Sequence, residues 1–406
     1  MSKIKIKKFY YPLLNNAISD SDIQKGIEVL KSKQLTMSKI TRKFEKEFAS
    51  YIGSKFAVMV NSGSSANLLS VFASCNPLRN KRFKRDDEAI IPSICWSTSL
   101  WPLVQAGLKP VFADINKETL NIDIDSLESK ITKKTKVLMM VHVLGLSTEM
   151  DKVRKLVKKY NLILIEDTCE SLGTMYKNKF LGSFGDFGTY SFYYSHQITA
   201  GEGGMVVCNN REDYNLLMSL RSHGWSRGLK MNLSKYKKYK GVDKKFMFIN
   251  SGFNLRPTEI QAAIGFNQFK RKNIFKHNRS KNREKIIKAF KKNSEWSNQF
   301  IFIKENKNTK PSWFGMPILL NEEYKKKKKK FLESLDRIGI ETRPIISGNF
   351  INQPSVDLYK LNEKKDKFPN AQYVDDCGFF IGLQTEIVSD LKIKKLVSIM
   401  LKTLET

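Results

Sequence analysis

The reactive side chains of this chain gather in one stretch: Ser191-Phe192-Tyr193-Tyr194-Ser195-His196-Gln197-Ile198-Thr199-Ala200-Gly201-Glu202-Gly203-Gly204. An imidazole with an ordinary pKa of about 6.5 takes up and releases protons near neutrality, which makes His196 a candidate general base. A lone histidine is also a common structural residue, so its setting has to decide. The stretch follows Gly185-Asp186-Phe187-Gly188 and runs into the apolar Met205-Val206-Val207-Cys208. It is therefore expected to be a loop held between two buried strands, and such loops commonly carry chemistry.

The elements around it are expected to position further groups. The apolar run Phe56-Ala57-Val58-Met59-Val60 meets Asn61-Ser62-Gly63-Ser64-Ser65-Ala66-Asn67, which opens a helix. A strand, a small polar turn and a helix aim free N–H groups and hydroxyls at an anion, although an ordinary N-cap reads the same way. Strands are expected near residues 89–92, 110–115, 137–142 and 162–167, and Pro110 is placed at the first position of its strand. A basic helix is expected over 150–160. Apolar runs alternating with helices imply a mostly parallel α/β sheet covered on both faces. Ligands of such sheets sit at the carboxyl ends of the strands, which is where Asp167 falls, although an acidic strand end can equally cap the next helix. One amphipathic helical region is expected over 19–52, and a helix is expected to start with Pro257 at its first position. Residues 229–250 are lysine-rich and loop-like, either lying near substrate or forming a solvated excursion.

Taken together, these residues resemble the DegT/DnrJ/EryC1/StrS sugar aminotransferases, fold-type I enzymes that use pyridoxal 5'-phosphate. In that frame the loop carries a lysine that binds the cofactor covalently, whereas this chain has His196 there and Gln197 beside it, with Lys177 and Lys179 lying too far upstream. Imidazole can move protons but cannot form that bond. The histidine-bearing branch of the family consists of pyridoxamine-phosphate-dependent 3-dehydratases of 4-keto-6-deoxy nucleotide sugars. The resemblance implies that Gly63, Ser64 and Ser65 hold the cofactor phosphate, that Trp96 stacks on its ring, that Asp167 pairs with the ring nitrogen, and that Ser191 also binds the cofactor. Glu170 takes the place beside the ring hydroxyl, where relatives often have glutamine or histidine. In Gly252-Phe253-Asn254-Leu255-Arg256-Pro257 the asparagine of relatives reaches the cofactor phosphate of a neighbouring subunit, so the resemblance gives Asn254 that role and implies a homodimer. For Arg343, in Ile340-Glu341-Thr342-Arg343-Pro344, the resemblance implies a grip on an anionic group of substrate or co-substrate.

The activity implied is removal of the C3 hydroxyl from a sugar such as GDP-4-keto-6-deoxy-mannose, with His196 as the base and glutamate regenerating the amine form of the cofactor, in deoxysugar, O-antigen or lipopolysaccharide biosynthesis. A 4-aminotransferase of the same family is the alternative, and a non-catalytic regulator that binds the cofactor or a nucleotide sugar is a third reading. The five cysteines (Cys75, Cys95, Cys169, Cys208, Cys377) are scattered without a CxxC pair. That spacing suggests neither a metal site nor a disulfide framework, and no iron–sulfur cluster is expected.

Length and charge set the outer limits. The 406 residues are 41% hydrophobic and 11% aromatic, ordinary for a globular chain, and suit a large cofactor-binding domain over 1–267 with a smaller α/β domain over 268–406. The net charge of +31, from 71 basic and 40 acidic residues, is spread along the chain and peaks at Lys325 to Lys330. Aromatic residues do not interleave with those lysines, which argues against nucleic acid as the partner. The lysine run is expected to be an exposed helix face. The N-terminal residues lack the apolar centre of a signal peptide and no apolar run is long enough to span a bilayer, so a cytoplasmic protein is expected.

Overall fold

The computed structural model describes residues 9–15, 17–79, 83–229, 236, 238–239, 241–362 and 367–405. The basic residues 1–8 and, within the lysine-rich segment, residues 230–235, 237 and 240 lie outside them. The strands run in chain order β1 Phe56–Val60, β2 Glu88–Pro92, β3 Lys109–Ala113, β4 Thr135–Val141, β5 Ile163–Asp167, β6 Met175–Tyr176, β7 Lys179–Phe180, β8 Phe187–Ser191, β9 Gly204–Cys208, β10 Phe300–Phe302, β11 Thr309–Lys310, β12 Gly315–Leu320, β13 Thr342–Arg343 and β14 Gly378–Gly382. Among the described residues they make a seven-stranded sheet ordered β1-β9-β8-β5-β4-β2-β3, a four-stranded sheet β10-β12-β14-β13 and a small sheet β11-β6-β7.

The main sheet is mostly parallel, as expected: β3, β2, β4, β5 and β8 pair in parallel. β9 returns antiparallel to β8, and β1 closes the far edge antiparallel to β9. The strand residues alternate between two cores. Val137, Met139 and Val141 enter one cluster and Leu138 and Met140 another on the opposite face, the period-2 signature of a sheet covered on both sides. β3 begins at Lys109, so Pro110 is its second residue rather than its first. It is tolerated because β3 is an edge strand.

The helical region near the N-terminus is two helices, Asp20–Ser32 and Lys39–Ile52, not one. Lys33 turns left-handed at φ 59° and ends the first. The second starts where the Glu259 carboxylate accepts from the amides of Ser38 and Ile40, each at 2.9 Å. A carboxylate at a helix N-terminus satisfies orphan donors and meets the positive end of the dipole. The second helix buries Phe44, Phe48 and Ile52. Phe44 packs on Phe192 at 5.4 Å and Phe48 on Tyr190 at 4.9 Å, so this helix backs the start of the loop after β8. Pro257 precedes the helix Glu259–Lys270 but is not its first residue. Thr258 is the N-cap, in a capping box with Gln261.

The second sheet forms a smaller C-terminal α/β unit with the helices Lys328–Ile338 and Asp390–Glu405. The lysine run is exposed except at Lys328, as expected, but three of its ammonium groups are engaged. Lys327 Nζ donates to the carbonyls of Leu404 and Glu405 at 3.2 and 3.4 Å, Lys328 Nζ donates to the Asp375 carbonyl, and Lys325 pairs with Asp376 at 2.5 Å. Those carbonyls end two other helices, so the cations meet the negative ends of their dipoles. This unit is tied across the strand ends of the main sheet by Phe350 N to the Ser93 carbonyl at 2.8 Å and by Ser347 Oγ to the Cys95 carbonyl at 2.7 Å. No helix among the described residues is long and apolar enough to cross a membrane.

Candidate active site

A cavity of about 470 Å³ opens at the carboxyl ends of the central strands. Gly63, Ser64, Trp96, Asp167, Glu170, Ser191, His196 and Arg343 all line it, with Leu13, Phe314, Ile346 and Phe380 as apolar wall. Ser65 and Asn254 do not. The Ser65 hydroxyl turns back to Asn61 Oδ1 at 2.6 Å. Asn254 is exposed and forms a bridge with Ser222, away from this chain's own cavity.

The helix Gly63–Ser74 points its N-terminus at the cavity, with Ser62 as N-cap accepting from Ser65 N at 3.1 Å. Glycine is required at its first position: a Cβ on Gly63 would stand 2.4 Å from Ser191 Cβ. Gly204 is as tightly placed: a Cβ on it would stand 2.3 Å from the Ser62 carbonyl oxygen. Two loops far apart in sequence therefore interlock, leaving a cradle of backbone N–H groups and the hydroxyls of Ser64 and Thr98, themselves 3.1 Å apart. Across from it, Trp96 is 54% exposed, an indole face open for stacking.

Asp167 ends β5, buried at 4% exposure. Its Oδ2 accepts from Asn67 Nδ2 and from Ser99 Oγ, each at 2.7 Å, and its Oδ1 from Cys169 N at 3.1 Å. Asn67 is held in turn by Thr189 Oγ1 at 2.6 Å. Asn67 and Ser99 were not singled out from the sequence as site residues. Spacing could have found them, since each lies one helical turn inside a helix whose start carries Gly63 or Trp96. Three residues on, Glu170 has one recorded donor, Leu144 N at 3.0 Å. Burial, with Asp167 nearby, pushes its carboxyl up to about 8.

His196 Nδ1 lies 2.8 Å from the Cys169 carbonyl oxygen. A carbonyl only accepts, so Nδ1 carries the proton and Nε2 keeps its lone pair. Burial pulls the imidazole down to about 4, outweighing the Cys169 contact and Asp167, so the ring is neutral at physiological pH. Its orientation is fixed by the edges of Tyr193 and Phe314 at 5.9 and 5.0 Å. Arg279 Nη2 donates to the His196 carbonyl at 3.1 Å. On the opposite wall Arg343 pairs with Glu341 at 2.7 Å, and Glu341 also accepts from Leu13 N at 3.0 Å.

A family model described as the DegT/DnrJ/EryC1/StrS aminotransferase family matches residues 16–397. The chain belongs to that family. Within it, this chain is 38% identical over 378 residues to a GDP-4-keto-6-deoxy-D-mannose 3-dehydratase of Escherichia coli O55:H7, covering 92% of this chain and 95% of that protein. A solved E. coli GDP-4-keto-6-deoxy-D-mannose-3-dehydratase with bound hydrated PLP superposes with a TM-score of 0.85 at 34% identity, covering 98% of this chain and 99% of the other. Another, a GDP-4-keto-6-deoxymannose-3-dehydratase with a trapped PLP-glutamate geminal diamine, gives 0.83 at 34% identity, covering 96% and 100%. The fold is therefore the aminotransferase-like one that the sequence motifs implied. The groups that line the cavity suit pyridoxal phosphate: a helix N-terminus for a phosphate, a buried carboxylate for a ring nitrogen and an open indole for a flat ring.

Proposed function

We propose that this chain is a pyridoxamine-phosphate-dependent 3-dehydratase acting on a 4-keto-6-deoxy nucleotide-linked sugar such as GDP-4-keto-6-deoxy-mannose. The observation that carries this reading is His196 itself, a neutral imidazole with Nδ1 bound and Nε2 free, on the loop where family members carry a lysine. When bound, the cofactor would supply an electron sink for its own amine-bearing carbon as that carbon loses a proton.

The chain's own residues do the rest. The N–H groups at Gly63 and Ser64 hold the phosphate, with Ser191 closing the cup and Ser65 shaping it through Ser62 and Asn61. Trp96 covers the ring and Asp167, set by Asn67 and Ser99, holds the proton on its nitrogen. Glu170, protonated at neutral pH, offers an O–H to the ring oxygen. His196 Nε2 takes the proton from the carbon that bears the amine, and Arg343 grips an anionic group of the sugar nucleotide. Glutamate as the amino donor is supported by the glutamate adduct trapped in a relative.

The exposed Asn254 supports a homodimer in which each chain completes its partner's phosphate cup. A nucleotide-linked sugar and glutamate as reactants suit the cytoplasm. The division at 267/268 stays part of this reading, supported by the sheet β10-β12-β14-β13 lying wholly after it.

The test is mass spectrometry of the product made with pyridoxamine phosphate, glutamate and 4-keto-6-deoxy nucleotide sugars. Loss of the C3 oxygen with release of ammonia is expected. An amino group retained at C4 would instead make the chain an aminotransferase.

A further inference from the structure

Behind the His196 loop, away from the cavity just described, lies a second, much smaller pocket lined by Tyr51, Gly173, Gln197, Lys272, Lys276 and Arg279, among others. Its free volume, about 10 Å³, is what one water-sized sphere needs. Lys272, Lys276 and Arg279 come from one face of the helix Lys272–Lys292, at spacings of four and three residues.

The charge here is uncompensated. Arg279 is 1% exposed, and the partners recorded for it are carbonyl oxygens: Trp313 at 3.3 Å, Phe314 at 2.9 Å and His196 at 3.1 Å. Its Nε is buried with no partner. Lys276 Nζ likewise donates to a carbonyl, Gly173 at 2.7 Å. Lys272 faces the rings of Tyr51 and Phe269 at 4.4 and 4.2 Å, and the carboxylate that bears on it, Glu47, is exposed. A buried cation without a counter-charge is costly, and proteins normally pair it. Burial accordingly lowers the pKa of both Lys276 and Arg279, with Lys310 adding to the effect on Lys276.

We propose that this pocket is a binding site for one monovalent anion of halide size, held between Lys276 and Arg279 Nε. A halide, somewhat larger than the water-sized sphere the space admits, would fill it, supply the missing negative charge and accept the orphaned Nε–H. Because Arg279 carries the His196 carbonyl, occupancy cancels a positive charge behind the proton-transfer loop and raises the basicity of His196.

The probe is bromide. In crystals soaked in bromide, an anomalous peak is expected between Lys276 and Arg279, and in solution replacing gluconate by bromide at constant ionic strength is expected to raise Tm by roughly 2–4 °C. Lys276→Gln, which removes the charge and leaves a shorter polar side chain, is expected to abolish both signals while remaining folded by circular dichroism. A pocket holding only water, with no anomalous peak and no halide-specific rise in Tm, overturns the proposal. So does a rise in Tm that survives in Lys276→Gln.

Discussion

The two walls of the main cavity are built to different standards. On the sheet side, Asp167 takes three hydrogen bonds, the Asn67 that supplies one of them is itself held by Thr189, and His196 is fixed at Nδ1, at its carbonyl and at two ring edges. On the opposite side, Trp96 stands 54% exposed, the Arg343 side chain is 53% exposed, and Ile346 is bent to a positive φ of 52°. Proton transfer tolerates little misplacement, so its groups are fixed before ligand arrives. Recognition can be completed by the ligand itself, at the cost of ordering the loop that meets it. Changes on the first wall should therefore act on kcat, and changes on the second on KM.

The hardest blow to that division would come at His196. His196→Lys is expected to lower dehydration by about 10²–10⁴-fold while creating a covalently held cofactor that absorbs in the visible; a variant that keeps full turnover would remove the base from the sheet side. Arg343→Ala, on the loop side, is expected to raise KM by roughly 10-fold or more with kcat little changed, the worth of a charge-assisted contact. Equal losses in kcat and KM would erase the contrast. Removing both side-chain donors to Asp167 in Asn67→Ala/Ser99→Ala should cut kcat by about 10-fold, and the two single variants should not sum to the double, because they share one carboxylate oxygen.

The smallest effect, and the sharpest in sign, belongs to Glu170. Its folded pKa of about 8 stands above the ordinary 4.5, so the folded state binds the extra proton and stability is lost as pH rises through that window. Glu170→Gln should therefore gain Tm over the parent between pH 6 and pH 9 in the cofactor-free protein. A difference that does not change with pH would show that the carboxyl is not held protonated.

Much of the sheet side was legible because it is local. Strand runs, the small polar turn before Ala66 and the acid ending β5 are short-range patterns whose physics is contained in a few residues. What escaped depends on partners distant in sequence. The break between the two N-terminal helices is stabilised by Glu259, more than 200 residues away, and nothing in the periodicity of 19–52 announces it. The capping contacts of the exposed lysine run were hidden because the carbonyls it caps belong to helices that end at residues 377 and 405. Asn67 and Ser99 converge on one oxygen only after two helices pack side by side, although each was visible as a polar residue one turn in.

The interlocked glycines have a consequence for how the molecule is made. β1 is one of the two edge strands, and the turn at Gly63 follows it directly. That turn takes its shape only when residues 56–60 have found 204–208 and Ser191 has closed over Gly63, a contact of long sequence separation that is slow to form. Any anion seated there consequently has no affinity for a chain whose edge strand is still undocked. By mass action it can reward only finished molecules, and a cell short of that ligand would accumulate complete but less stable protein rather than stalled intermediates.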